Sequence, residues 1–482
     1  MARKTLRSDH SIAIYNHLTS PKSIHIADTI PFSSHFCNRE AQISPVFIPK
    51  CNTYTLPQQG DRFVTSPIAA NTAKLQEAFR HRRSVSESLT RGLSAEDMVV
   101  QSMDDASPAK WHLAHTTWFF EAFVLNKYQD NYRPVDPDYN FLFNSYYNSV
   151  GERHARPLRG MLTRPGIEAV RAYRRAVDAS VLALLEQPHP RARGLADTVT
   201  VGLHHEMQHQ ELLLTDLLHA LSINPTAPAM RPAPPADDTR AAGLVFMPFD
   251  EGLYEIGAAG DGFSFDCEGP RHQTYLRGFS LANRTVTNAE WLAFMNDGGY
   301  STATLWLSDG WAQCQAEQWQ APLYWSQRDG EWHQFGLYGR QPVNPEAPVC
   351  HVNYFEADAF AQWAGARLPT EQEWEVAAGD APIAGNFQDR EYWRPRAAAG
   401  SGLQQLYGDV WEWTRSPYAP YPGFSAAPGA IGEYNGKFMC GQFVLRGGSC
   451  ATPQQQLRRS YRNFFYPHQR WQFSGLRLAK DL

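Results

Sequence analysis

The 482 residues exceed the roughly 100–200 of a single domain, so more than one hydrophobic core is expected. An apolar share of 43% and an aromatic share of 13% describe a globular chain rather than a disordered one. Lys and Arg number 44 against 49 Asp and Glu, a net charge of -5, and without a basic run to follow a phosphate backbone the composition argues against nucleic acid as a partner.

Residues 1–72 mix Ser, Pro, His and Lys with no sustained period and are expected to form a poorly structured tail. They lack the apolar run of a secretory leader, and nowhere does the chain approach the about 18 consecutive apolar residues of a membrane span. Seven cysteines are scattered and never spaced C-x-x-C, which fits a reducing, cytoplasmic setting and no zinc ribbon. From residue 73 the apolar spacing becomes helical, and it predicts segments near 75–89, 111–128, 166–185 and 196–221, enough for a four-helix bundle over 73–224. Pro and Ala dominate 225–240, an extended connector. Beyond it, 241–482 reads as an α+β domain of short strands with two helical stretches, 288–296 and 354–364.

The fourth helical segment contains His204-His205-Glu206-Met207-Gln208-His209, which places His205 and His209 one turn apart. At about 100° per residue, Leu203, Met207, Leu214 and Leu218 fall on one side, and His205, His209, Leu212 and Asp216 nearly opposite. An i, i+4 histidine pair converges on one cation but needs a third ligand from elsewhere. Trp111-His112-Leu113-Ala114-His115 is the best donor, and spacing alone does not choose between His112 and His115, which share a helix face. His205-Glu206-x-x-His209 also matches the zinc-peptidase pattern in which the glutamate is general base. The downstream H-x-x-G-x-x-H continuation is missing, because Leu212, Leu213 and Leu214 follow.

Several runs together resemble one family, the iron-dependent sulfoxide synthases of ergothioneine biosynthesis, which join a DinB-like helical bundle to a domain like the formylglycine-generating, sulfatase-modifying enzymes, related to C-type lectins. In the first half the resemblance rests on residues 107–121, Asn144-Ser145-Tyr146-Tyr147-Asn148, Arg156-Pro157-Leu158-Arg159-Gly160 and the histidine segment. In the second it rests on 286–290, 367–375, 408–414, 445–449 and 475–478. It spans residue 75 to the end, and it implies that the ligands of a ferrous ion are His115, His205 and His209. The implied reaction couples a thiol to C2 of the imidazole of hercynine, the Nα-trimethylated histidine, with O2, giving a sulfoxide. Three imidazoles leave about three positions of an octahedral ion open for such reactants. Formylglycine chemistry needs two cysteines near the C-terminus, whereas only Cys450 follows the Arg446-Gly447-Gly448-Ser449 run. Ovothiol-type relatives usually add a methyltransferase domain, which makes the ergothioneine branch the expectation.

The resemblance makes Tyr146 and Tyr147 the candidate catalytic residues, donating a proton or electron where the thiol would otherwise oxidise to sulfinate. Arg156 and Arg159 offer guanidinium forks for the carboxylate of an amino-acid thiol. Asp105 either pairs with that thiol's ammonium or caps the helix beginning near Pro108. Arg462-Asn463-Phe464-Phe465 aligns with a stretch that reads Asn-Trp-Asp in members using γ-glutamylcysteine. Asn463 can hold the hercynine carboxylate and Phe464 can face its quaternary ammonium. Phe465 removes the acid, so cysteine is expected as sulfur donor in preference to γ-glutamylcysteine. The active site is expected in a cleft, with Asn463 and Phe464 of the second domain as its lid. The competing functions are a zinc hydrolase based on Glu206 and a non-catalytic metal- or thiol-binding module.

Overall fold

The computed structural model describes residues 72–482 apart from 236, 261 and 427–429, so the expected tail lies almost wholly outside the described residues. Helices α1 (Thr72–Leu89), α2 (Ala109–Phe120), α3 (Ile167–Glu186) and α4 (Ala192–Ser222) form the bundle, with α2 packed on α3 and α4, and α1 on α4. In α3 the buried residues Val170, Tyr173, Val177, Val181 and Leu185 recur every three to four positions, the stripe of a helix lying on a core. Every residue of α2 is buried. The close approach of α2 to α4 depends on Gly202, where a Cβ would stand 2.5 Å from the Phe120 ring. One feature escaped the periodicity, a π-turn at Glu121–Leu125 that continues α2. Its buried Glu121 accepts hydrogen bonds from Tyr132 Oη at 2.8 Å, Val135 N at 2.9 Å and Tyr173 Oη at 2.6 Å.

The second half is the expected α+β fold, with a four-stranded sheet in the spatial order Asn463–Phe465, Phe443–Arg446, Trp411–Pro417, Ser474–Leu476. Two helices arise where their sequence predicts them, α5 (Asn288–Asn296) and α7 (Tyr354–Trp363), each opened by a capping box, Thr287 with Glu290 and Asn353 with Glu356. The apolar spacing did not mark α6 (Ser308–Ala316) or α8 (Glu371–Ala378). The Thr370 and Glu373 box in front of α8 was a legible signal; α6 is nine residues long with only Gly310 and Cys314 buried. Several charged residues of the family-like runs prove to be fold-holding: Arg477 and Glu412 pair at 2.7 Å with both side chains fully buried, and Arg446 and Arg462 both bond Glu371.

Helix α4 joins the halves. His204 Nδ1 lies 2.9 Å from Gln456 Oε1, Gln208 Nε2 donates to Tyr461 Oη at 2.9 Å, and the partly buried Glu211 accepts from Trp411 Nε1 at 2.6 Å, Ser449 Oγ at 2.9 Å and Thr452 Oγ1 at 2.8 Å. The Pro/Ala connector is held to the second half where Met230 N donates to Leu337 O at 2.9 Å and Arg231 stacks on Trp393. Among the described residues no helix is long and apolar enough to cross a membrane.

Candidate metal centre

Helix α2 supplies His115, and α4 supplies His205 and His209; one ligand atom from each lies within 4.8 Å of the other two. His115 and His205 are buried. The facing Nε2 atoms of His115 and His205 are 3.1 Å apart. Two nitrogens bound at about 2.1 Å to one tetrahedral or octahedral ion stand about 3.0–3.4 Å apart, so the cluster fits a metal. Burial, followed by the neighbouring histidines, holds His115 and His209 well below the usual imidazole range, and burial takes His205 down to about 3. The three rings are therefore neutral at pH 7, with lone pairs available to a cation.

Each ring is oriented differently. His115 Nδ1 donates to Phe143 O at 2.6 Å, which leaves Nε2 as the ligand atom, and Trp111 stacks on the ring at 4.5 Å. His205 Nδ1 is buried without a hydrogen-bond partner among the described residues, and the ring is held by Phe119, stacked at 4.4 Å, and Tyr434, at 5.9 Å. His209 Nδ1 lies 2.9 Å from His112 Nδ1.

Glu206 points away from this cluster. Its Oε2 accepts from Arg83 at 2.7 Å, and its Oε1 from Ser86 and Arg174, both at 2.5 Å. Burial alone would raise its pKa, but Arg174 and Arg83 bring it down to about 2. A carboxylate so placed and so acidic is poorly suited to act as general base for a water beside the histidines, the role the zinc-hydrolase alternative gives it.

The remaining candidates fall in two groups. Around the start of α2, Arg159 is buried, donates through Nη1 to Ser107 Oγ at 2.9 Å and leaves Nε buried without a partner. Burial lowers its pKa to about 9, and no carboxylate lies within ion-pair distance among the described residues. Arg156 is exposed and pairs with Asp105 at 3.6 Å, and Gln469 of the second half donates to the same carboxylate at 3.3 Å. Asp105 is not the cap of α2, whose N-cap is Pro108 without a side-chain bond. Along the other wall, the Tyr146 and Tyr147 rings stack at 4.6 Å with their hydroxyls 3.5 Å apart. Tyr147 is fully buried against Trp118 and Phe123, and Tyr146 faces Tyr434 at 6.4 Å. Burial raises both hydroxyl pKa values.

Asn463 and Phe464, the expected lid, connect to the tyrosine pair through other rings. Phe464 stacks on Tyr418 at 4.1 Å and meets Phe438 at 5.9 Å, and Phe438 in turn meets Tyr146 at 5.2 Å; Asn463 Oδ1 accepts from Phe464 N. The second-half ring beside the cluster is Tyr434, whose hydroxyl donates to Gln208 Oε1 on α4. Sequence reasoning passed over Tyr434 because it lies in a loop without periodicity. Gln208 was legible, one position before His209. The Tyr434 loop is fastened to the tyrosine pair: Glu433 accepts from Asn148 N and Ser149 N at 3.0 Å each, and Lys437 Nζ donates to Tyr146 O at 2.5 Å.

Residues 78–213 match the DinB superfamily, and residues 232–399 and 395–482 match the sulfatase-modifying factor enzyme 1-like domain. The chain is 34% identical over 410 residues to the hercynine oxygenase of Mycolicibacterium smegmatis, covering 78% of this chain and 91% of the relative. It is 34% identical over 404 residues to that of Mycobacterium tuberculosis, with the same two coverages, 78% and 91%. The formylglycine-generating enzyme of Streptomyces coelicolor is 30% identical over 267 residues, covering 46% of this chain and 83% of that protein.

Proposed function

The chain belongs to the hercynine oxygenase family, and from that premise we propose that it is an iron(II)- and O2-dependent sulfoxide synthase acting on hercynine and cysteine. In the balanced reaction the imidazole C2–H and the thiol S–H are lost, a C–S bond forms, one oxygen atom of O2 becomes the sulfoxide oxygen, and the other leaves as water. The observation that carries this reading is the buried cluster of His115, His205 and His209, neutral at working pH and walled by aromatic rings. His115, His205 and His209 would hold the iron, which when bound supplies O2 activation and favours the thiolate.

The chain's own groups set the rest. Arg159, a buried cation without a carboxylate partner among the described residues, binds the carboxylate of the thiol substrate, and the Asp105 carboxylate beside Arg156 receives its ammonium. Tyr434 and the Tyr146–Tyr147 pair remain protonated because burial raises their pKa values, so they are proton donors rather than bases. Trp111, Trp118 and Phe119 exclude water from the ligand rings. Asn463 and Phe464 extend the aromatic wall through Phe438 and would meet the carboxylate and trimethylammonium of hercynine.

Cysteine is favoured over γ-glutamylcysteine because Phe465 replaces the acid that the resemblance gives members using the longer donor, and because Arg159 and Asp105 offer a cation and a carboxylate for the two charged groups of a free amino acid. Turnover with hercynine, O2 and each thiol, with product mass and iron content measured, tests the reading. The expected result is a hercynylcysteine sulfoxide and a higher kcat/KM for cysteine. A preference for γ-glutamylcysteine overturns the donor assignment, and zinc with no O2 uptake overturns the reaction.

A further inference from the structure

His112 was a rival ligand in the sequence, and the structure gives it a different place. Its ring is buried between two partners: Nδ1 lies 2.9 Å from His209 Nδ1, and Nε2 lies 3.1 Å from Asp216 Oδ2. Asp216 is itself buried and also accepts the Ser107 N–H at 2.8 Å.

We propose that His112 and Asp216 are positioning residues that fix the tautomer of His209, so that its Nε2 lone pair is presented to the metal. The assignment follows from counting protons and rests on the metal reading of the cluster. Asp216 Oδ2 already accepts the Ser107 N–H, and a carboxylate oxygen faces an imidazole N–H rather than its lone pair, so the nitrogen facing Asp216 is the protonated one, His112 Nε2. A neutral imidazole then carries a lone pair on Nδ1, and the contact to His209 is a hydrogen bond only if His209 Nδ1 bears a proton. That proton leaves His209 Nε2 unprotonated, the form a metal ligand requires. The reversed bond, donated by His112 Nδ1, would turn a lone pair of His112 Nε2 towards Asp216 and move the His209 proton onto Nε2, where it blocks coordination.

The relay gives two of the three ligands a defined tautomer, since His115 is set by Phe143 O, and leaves His205 held by packing alone. It also ties the centre to the substrate end of α2. Ser107, whose N–H bonds Asp216, accepts on its hydroxyl the hydrogen bond from Arg159, so one carboxylate anchors both a ligand's orientation and the residue that holds the guanidinium.

The probe is cobalt(II), titrated into the metal-stripped full-length chain, with affinity read from the ligand-field absorption and apoprotein melting followed alongside. His112→Phe removes both ring nitrogens and is expected to weaken cobalt binding about 10–100-fold. His112→Asn places an amide oxygen near the Nδ1 position, loses only the contact to Asp216 and should bind within about fivefold of the wild type. His112→Gln reaches towards Asp216 instead and should behave like His112→Phe. If His112→Phe lowers the apoprotein melting temperature too far to titrate, Asp216→Ala, which frees His112 to take either tautomer, is expected to weaken binding in the same direction. Rescue by Asn but not Gln is not what a merely structural loss would give. Wild-type affinity in His112→Phe, or equal loss in the Asn and Gln variants, overturns the relay while leaving the three-histidine site standing. A wild-type chain that binds no cobalt overturns the metal reading itself and the relay with it.

Discussion

The guanidinium of Arg159 lies 3.5 Å from the centroid of the Trp111 ring, and Trp111 stacks on His115. A planar cation is thus held one ring away from the histidine cluster, with an Nε unpartnered among the described residues. Arg159→Lys keeps the charge but loses the stack and the fork. The KM for cysteine is expected to rise about 10–100-fold, as for the loss of a charged hydrogen bond worth about 1.5–3 kcal/mol, while kcat at saturating cysteine changes far less. Steady-state kinetics with cysteine varied at fixed hercynine checks this.

Tyr434 and Tyr146 face each other at 6.4 Å across the wall of the proposed site. Replacing either by Phe removes a hydroxyl and little volume. The expected outcome is a fall in kcat of about 100-fold, typical for loss of a positioned acid, with the KM for cysteine little changed. Product mass should show more cysteine sulfinate relative to sulfoxide, because the thiol's own oxidation no longer meets the competing proton transfer.

Glu206 pairs with two buried arginines, Arg83 and Arg174, which keep Asp178 and Glu87 as their other carboxylates, so Glu206→Gln removes the fully buried partner they share. A loss of about 1.5–3 kcal/mol of stability at pH 7, that of a charged hydrogen bond, is expected in urea unfolding. With its folded pKa lowered from 4.5 to about 2, Glu206 contributes stability that is fully present above pH 4.5 and is lost as pH falls towards 2. The wild type should therefore lose stability across that window more steeply than Glu206→Gln does.

The histidine cluster predicts a separate pH dependence. Burial takes the folded pKa of His205 from 6.5 to about 3, and those of His115 and His209 move the same way. As pH falls below 6.5 the unfolded chain takes up these protons first, so apoprotein stability is greatest above 6.5 and declines towards pH 3. Unfolding of the metal-free chain between pH 7.5 and pH 5 should show the decline. Iron or cobalt should raise stability most at the upper end, where protons compete least with the metal.

What the sequence made legible was whatever repeats locally. The four bundle helices, α5 and α7 follow from apolar spacing and end signals, and the i, i+4 spacing alone sets His205 and His209 on one face. Spacing left His115 and His112 equivalent, because a helix face says nothing of what lies opposite; the structure separates them by turning one towards His205 and the other towards Asp216. The expectation that the histidines avoid the leucine side was sound, but α4 proved to be covered on nearly all sides, since the second half packs against His204, Gln208 and Glu211. Glu206 looked catalytic because a five-residue pattern does not include Arg83 and Arg174, which come from two other helices. Tyr434 was unreadable for the same reason, being brought to His205 by long-range packing alone.

His204, Gln208 and Glu211 recur every three to four residues along the helix that also carries His205 and His209. The side of α4 that carries the histidine cluster and the side that meets the second half are thus written into the same two turns, interleaved residue by residue. The two halves are consequently poor candidates for exchange by recombination. A graft that transplants the three histidines with a foreign bundle would carry the wrong counterparts for Gln456, Tyr461, Trp411, Ser449 and Thr452. A lineage that retunes its substrate through the second half is obliged to change this helix in step, which confines productive variation to correlated changes across the seam.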